Sequence, residues 1–290
     1  MLTAQITGGL GNQLFIYARL ALHARDINLD LKIDSSVVER VLGRPADLFD
    51  FRLAGEKRAD LSDYQLLSVQ AERVFWKTKQ LRKLTRRYQD NLLGGENSIA
   101  HVKNGWKVRG FFQSFTIAER FLTVIGREPL TLIQESEEMQ RRSVDVSRVK
   151  SVAIHMRRGD YLNYKDSFGV LDDNYYLSAL EIMLKKREYD KVFIFSDSPD
   201  SVVSFQQKLK LDSEIISPSD LKPSETLVLM SRCSAILTSN STFSFWASML
   251  ARHNDVIYPE PWFRSSDEWL QSSNFNNPNW ISAKSLWSMQ

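Results

Sequence analysis

One stretch of the chain concentrates side chains that grip anions: Ile154-His155-Met156-Arg157-Arg158-Gly159-Asp160-Tyr161. A guanidinium stays charged at every working pH and presents a planar fork of donors that matches phosphate oxygens. Two further clusters share this character, Ser196-Asp197-Ser198 and Ser239-Asn240-Ser241-Thr242. Hydroxyls and free amides at the opening of a helix hold phosphate well, and Asp197 is an acceptor for a base-edge N–H or a sugar hydroxyl. When a nucleoside diphosphate leaves a sugar, negative charge grows on its β-phosphate. A fixed arginine there stabilises the transition state more than the ground state. Each cluster also has a plainer reading. His155, Arg157 and Arg158 serve equally as a strand-end salt-bridge group with Asp160, and the other two clusters serve as helix caps.

The elements around these clusters decide between the readings. Residues 151–156, 191–196, 235–238 and 256–259 read as buried strands. Between them, Asp172 and Asp173 cap a helix with Tyr176, Leu177, Leu180 and Leu184 as its apolar stripe, and Ser198-Pro199-Asp200 starts another. Residues 227–232 and 242–251 read as further helices. This alternation predicts a parallel sheet with helices on both faces, and ligands bind such sheets outside the carboxyl ends of the strands. Three predicted strands end in the three polar clusters, which together favours the ligand reading. At the N-terminus, residues 2–7 form a strand that runs into Gly8-Gly9-Leu10-Gly11-Asn12-Gln13. A helix follows with Leu14, Ala18, Ala21 and Leu22 on one face. Asn12 is placed to cap that helix or to contact a ligand, although the spacing is neither a Rossmann fingerprint nor a P-loop. Residues 58–104 read as polar and mainly helical. The charged stretch 134–150 carries the expected boundary between domains 1–148 and 149–290.

Composition narrows the class. The chain has 290 residues, 43% hydrophobic and 25% charged, with a net charge of +3. Its one cysteine excludes an internal disulfide framework and a Cys-rich zinc site. The first residues lack a signal-peptide pattern, and no apolar run approaches the roughly 18 residues that span a bilayer. The expectation is a cytoplasmic protein, peripheral at most on the inner face of a bacterial plasma membrane. Lys77, Lys79, Arg82, Lys83, Arg86 and Arg87 sit among Leu81, Leu84, Tyr88 and Leu92 at helical spacing. An amphipathic helix over 77–92 has a solvated basic face or meets anionic headgroups and a lipid-linked acceptor. No nucleic-acid recognition motif accompanies it.

Five segments in order resemble glycosyltransferase family 11, the α-1,2-fucosyltransferases, in its bacterial, anchorless form. They are Gly8-Gly9-Leu10-Gly11-Asn12-Gln13-Leu14-Phe15, Gly110-Phe111-Phe112-Gln113-Ser114, His155-Met156-Arg157-Arg158-Gly159-Asp160-Tyr161, Phe195-Ser196-Asp197, and Ser239-Asn240-Ser241-Thr242-Phe243-Ser244-Phe245-Trp246-Ala247. The resemblance implies an α/β, GT-B-type fold of two Rossmann-like domains facing a donor/acceptor cleft. GDP-β-L-fucose would be held mainly by the C-terminal domain. L-Fucose would pass with inversion to the 2-hydroxyl of a galactose-terminated oligosaccharide during surface polysaccharide (O-antigen) synthesis. Arg157 would contact the β-phosphate and replace a divalent ion, with no metal site and no cofactor. His155 and Asp197 would lie at the nucleoside, and Ser241, Thr242 and Phe243 along the phosphate and ribose. Arg158 and Ser239 would join the donor site, and Asn12 would reach the diphosphate from the other domain.

The resemblance departs mildly at Ser198, where many relatives carry a second acid, and at Phe245, where tryptophan is common. Asp160 and Asp166 are the near candidates for a general base, and Asp160 also suits the simpler role of orienting Arg157 or Arg158. Gln113 and Ser114 are the cleft-facing candidates of the N-terminal half. Two other functions stay open: the same fold with another donor or linkage, and a non-catalytic protein that binds a polyanion or membrane.

Overall fold

Short apolar runs that end in polar residues build two parallel sheets. The chain is described by a computed structural model at residues 1–53, 57–58, 87–89, 94 and 99–288. It divides into two units, Met1–Thr131 with Glu268–Asn274, and Leu132–Asp267 with Phe275–Gln290. The boundary expected at 148/149 thus falls within unit 2. Residues Glu137–Arg148 form a helix there, with Ser136 as its cap, accepting from the Met139 N–H at 3.1 Å.

In unit 1, β1 (Leu2–Gln5), β2 (Leu31–Asp34), β3 (Lys57–Arg58), β4 (Arg87–Gln89) and β5 (Lys107–Arg109) pair in the order β3-β2-β1-β5-β4, all parallel. Helix α1 (Leu10–Asp26) follows β1, and α2 (Phe115–Val124) follows β5. From Leu14 to Leu22 only Arg19 interrupts the apolar residues of α1, so the helix is buried on nearly all sides. Tyr17 meets Phe121 of α2 edge-on at 5.4 Å. At the strand ends, Asp34 is fully buried and paired with Lys107 at 2.7 Å and with the Gln5 amide at 3.0 Å. Burial opposes its charge, but Lys107 and the Ser36 N–H outweigh that and hold the carboxyl below its usual range.

The helix expected over 77–92 is not what Arg87–Gln89 form. Tyr88 pairs with Val108 in the sheet, so the helical spacing of Leu84, Tyr88 and Leu92 is overridden there by strand pairing. The remainder of that segment lies outside the described residues. Within 58–104, the described elements are likewise strand rather than helix.

Unit 2 contains β6 (Ser151–Met156), β7 (Lys191–Ser196), β8 (Asp212–Ile216), β9 (Ala235–Leu237), β10 (Val256–Glu260) and β11 (Ile281–Lys284). All are parallel, in the order β11-β10-β9-β6-β7-β8. The chain runs from β6 outward to β8, then returns to β9 and runs outward the other way. This is the Rossmann strand order, and it opens a crevice between β6 and β9. The helices are α3 (Glu137–Arg148), α4 (Asp173–Lys186), α5 (Val203–Gln206), α6 (Pro223–Ser231) and α7 (Thr242–Leu250). Side chains alternate across a strand, so Val152, Ile154 and Met156 pack together with Tyr175, Tyr176 and Met183 of α4. Full burial of each such side chain stabilises by roughly 1.5–3 kcal/mol. Asp172 caps α4 as expected, accepting from the Tyr175 N–H at 3.0 Å. Leu184 of the expected stripe is 38% exposed, and Tyr175, Ala179 and Met183 are buried in addition to Tyr176 and Leu180. No helix among the described residues is long and apolar enough to cross a membrane.

Candidate functional site

The carboxyl ends of β6, β7 and β8 surround an open pocket of about 530 Å³, solvent included. His155 and Arg157 enter it from β6, Phe195, Ser196 and Asp197 from β7, and Ile216 and Pro218 from β8. Leu221, Pro223 and Thr226 close it around the start of α6, and Phe243 comes from α7. The lining therefore joins His155, Arg157, Ser196 and Asp197 to mainly apolar side chains from β8, α6 and α7.

Arg157 is held by two carboxylates, Asp160 at 2.7 Å and Asp197 at 3.2 Å, and lies over the Tyr161 ring at 5.5 Å. Its Nε is buried and has no hydrogen-bond partner. The two carboxylates differ. Asp197 is locked, because it also accepts from the N–H groups of Arg158 at 2.9 Å and Gly159 at 3.1 Å. A β-carbon at Gly159 would sit 2.6 Å from Asp197 Oδ2, so this approach needs glycine. Asp160 is 59% exposed, opens a 3-10 segment, Asp160–Tyr164, and pairs with Arg157 three residues earlier.

His155 is buried, 2.8 Å from Ser239 Oγ through Nδ1, and stacked on Phe243 with ring centres 5.5 Å apart. Burial, aided by the Arg157 charge and opposed by Asp197, pulls its pKa down to about 3. The imidazole is neutral at working pH, a wall and hydrogen-bonding group rather than an acid or base. The Tyr161 hydroxyl is pushed up to about 12, chiefly by burial, and donates to the Asn240 carbonyl at 3.0 Å.

The stretch 239–243 divides its labour. Ser239 orients His155 from the other side of the β6–β9 crevice. The Asn240 amide is committed to the carbonyls of Phe168 at 2.8 Å and Gly169 at 3.1 Å. Ser241 caps α7, accepting from the Phe243 N–H at 3.3 Å. Thr242 is half-buried, and of these residues only Phe243 lines the pocket.

Arg158 turns away from the pocket. It donates to the Leu171 carbonyl and to Asp173 at 2.8 Å, and lies 5.9 Å from the Tyr176 ring. It therefore ties the β6 loop to the start of α4. Asp166 is exposed. Ser198 is half-buried, its N–H bound to Ser196 Oγ at 3.1 Å, and Phe245 is fully buried among Phe275 and Trp280. Asn12 lies in unit 1. It is not the cap of α1, which is Gly9 without a side-chain bond, but the third residue of the helix. Its Oδ1 accepts from Gln113 Nε2 at 2.9 Å. Among the described residues, no three His, Cys, Asp or Glu side chains converge as a metal-binding group.

Ile216, Pro218, Leu221, Pro223 and Thr226 were not expected at the site. Their one sequence signal is Ile215-Ile216-Ser217-Pro218, an apolar pair running into a turn.

Known proteins agree with this architecture. The chain is 23% identical over 287 residues to an α-1,2-colitosyltransferase of Escherichia coli, covering 92% of this chain and 94% of that one. It is 24% identical to the O-antigen biosynthesis glycosyltransferase WbnK of Escherichia coli, over 95% of this chain and 98% of that one. Among solved structures it is similar to the fucosyltransferase NodZ from Bradyrhizobium, with a TM-score of 0.53, 14% identity, and 86% and 93% of the two chains covered. These neighbours share the GT-B-type fold of two Rossmann-like units. The model of glycosyl transferase family 11 matches residues 1–284, and the chain belongs to that family.

Proposed function

We propose that the protein transfers L-fucose from GDP-β-L-fucose to the 2-hydroxyl of a galactoside, with inversion, in O-antigen synthesis. The observation that carries the reading is the pocket itself, whose lining combines mainly apolar side chains with Arg157 and His155. A nucleobase suits the apolar lining of Phe243, Ile216 and Leu221, with neutral His155 beside the nucleoside. The diphosphate then falls at Arg157. The acceptor oxygen forms its bond to the anomeric carbon as the bond from that carbon to the β-phosphate oxygen breaks. The electron pair leaves with GDP, and the acceptor proton passes to a carboxylate or to solvent. Arg157 stabilises the charge that develops on the leaving phosphate, the part a divalent ion plays in other enzymes. Asn12, Ser241 and Thr242 complete the donor contacts in this reading, and the acceptor is a galactose-terminated, lipid-linked oligosaccharide.

Removing one preorganised donor to a developing oxyanion costs about 10²–10³ in kcat. Arg157→Ala should show that loss in GDP release from GDP-fucose and galactoside acceptors. Turnover within about threefold of the unaltered protein would overturn the clamp, since a lost charged contact is worth more than that.

The colitosyltransferase likeness favours a second reading, a donor sugar that lacks the fucose 3-hydroxyl. Competing GDP-fucose against GDP-colitose for one acceptor decides it, and a thermal-shift panel of GDP, UDP and ADP checks the base. A protein stabilised by no nucleotide would instead fit the non-catalytic binder.

A further inference from the structure

Unit 1 has a switch point of its own between β1 and β5, because the chain runs from β1 through β2 to β3 and then returns on the other side of β1. Asn12 follows β1 and Gln113 follows β5, and their amides meet at 2.9 Å, Gln113 Nε2 donating to Asn12 Oδ1. The arrangement carries unusual features. Phe112, with its β-carbon, sits at φ 54°, where side chains other than glycine are strained. Gln113 is 5% exposed, and its Oε1 is buried without a hydrogen-bond partner. Gly8 has φ 74°, and a β-carbon there would lie 2.6 Å from Asn12 Nδ2. The donor edge of Asn12 thus lies against the glycine turn, where the seventeen-residue α1 opens with the positive end of its dipole.

A primary amide presents either its carbonyl or its NH₂, and the partner decides which. By donating to Oδ1, Gln113 fixes the Asn12 NH₂ toward the turn. The reverse pairing would employ the Gln113 oxygen that now has no partner. Strain at Phe112 and an unsatisfied buried oxygen at Gln113 are retained side by side, which marks a place where function over-determines local stability.

We propose that Gln113 is a positioning residue that holds the Asn12 NH₂ toward the glycine turn, so that Asn12 Nδ2 donates to an oxygen of a substrate seated at that turn, a phosphate oxygen or a sugar hydroxyl. The proposal rests on the glycosyl-transfer reading above. The decisive variant is Gln113→Glu. An ionised carboxylate cannot donate to Oδ1 and attracts Nδ2 instead, turning the Asn12 amide the wrong way. At pH 8 its turnover should fall as far as that of Asn12→Ala. As the pH is lowered the introduced carboxyl protonates, regains an O–H donor, and activity relative to the unaltered protein should recover. Burial places that titration above the ordinary carboxylate range.

Gln113→Met should lose about tenfold, the worth of one ordinary hydrogen bond, without that pH dependence. Adding it to Asn12→Ala should cost nothing more. A raised donor KM would identify the oxygen as phosphate, and a raised acceptor KM as sugar. Full activity in Gln113→Met, a Gln113→Glu profile parallel to the unaltered protein, or multiplicative losses in the double variant would each overturn the proposal. If the unaltered protein releases no GDP with any acceptor, the transfer reading fails instead. The positioning role is then read from the Asn12 side-chain NH₂ resonances, assigned by their absence in Asn12→Ala. They should shift in Gln113→Met, and unshifted signals would overturn the proposal.

Discussion

The buried imidazole of His155 predicts a pH dependence with a definite sign. Its pKa is drawn from 6.5 to about 3, first by burial, then by the Arg157 charge, with Asp197 opposing. Above pH 6.5 the ring is neutral in both the folded and the unfolded chain, and its contribution is fully present. As the pH falls, the unfolded chain takes up a proton that the folded protein refuses, so stability is lost progressively down to about pH 3. At pH 5 the unfolded ring is about 1.5 pH units into its titration. At about 1.36 kcal/mol per unit, that is a loss of about 2 kcal/mol relative to pH 7. His155→Gln keeps a polar side chain that can reach Ser239 and removes the titration. The measurement is thermal denaturation of both proteins at pH 7 and pH 5. The unaltered protein should lose roughly 4–8 °C more than the variant over that interval. Titration of all other groups cancels in the double difference. If both midpoints fall in parallel, the ring is not held neutral, and the account of His155 as a nucleoside-side wall loses its physical basis.

Two further substitutions separate gripping from scaffolding. Arg158→Met removes the bonds to the Leu171 carbonyl and Asp173, and should cost roughly 2–3 kcal/mol of stability by denaturant titration. Donor KM should stay within about threefold, since displacements at a supporting residue act mainly through stability. An intact midpoint with lost turnover would restore Arg158 to the donor site. Gly159→Ala drives a β-carbon onto the Asp197 carboxylate, which three donors hold in place. The loop must shift, and a displacement of about 1 Å at Arg157 should lower kcat about 10²-fold. Wild-type kcat in that variant would show that the loop tolerates the move.

What could be read from the chain was what period and position encode. The strands β6, β7 and β9 are continuous apolar runs with polar ends, and a parallel sheet buries such runs on both faces. Strand alternation does not reach the adjacent arginines. Both lie just past the end of β6, and Arg157 lines the pocket with His155 while Arg158 turns to Leu171 and Asp173, although both arginines were expected at the donor. The apolar lining was invisible because β8 was. Asp212, Ser213 and Glu214 open that strand with polar residues, and Glu214 is spent on Arg142 and Lys191 at the sheet edge. Helix α3 buries only Met139 and Val146, too few to leave an apolar stripe in a charged sequence. Ser241 takes the capping role, and the helix that it caps carries Phe243 into the pocket.

The two carboxylates on Arg157 also bear on the missing base. A diphosphate drawn to the guanidinium competes with both of them, since each holds one Nη group. Displacing Asp197 would also strip two backbone N–H groups of their acceptor, and each charge-assisted bond of that kind is worth about 1.5–3 kcal/mol. Displacing Asp160 frees a carboxylate that is 59% exposed and has solvent to receive it, and an exposed ion pair is worth about 1 kcal/mol or less. On the proposed function, a phosphate therefore displaces Asp160 more readily than Asp197. On the proposed function, the same event that seats the donor releases a carboxylate three residues from Arg157. In the donor-free protein the Asp160 carboxylate is held against Arg157. Donor binding removes that restraint, which makes Asp160→Asn a test with opposite signs: tighter GDP binding if Asp160 only competes for Arg157, and lost kcat at unchanged or tighter GDP binding if it then takes the acceptor proton.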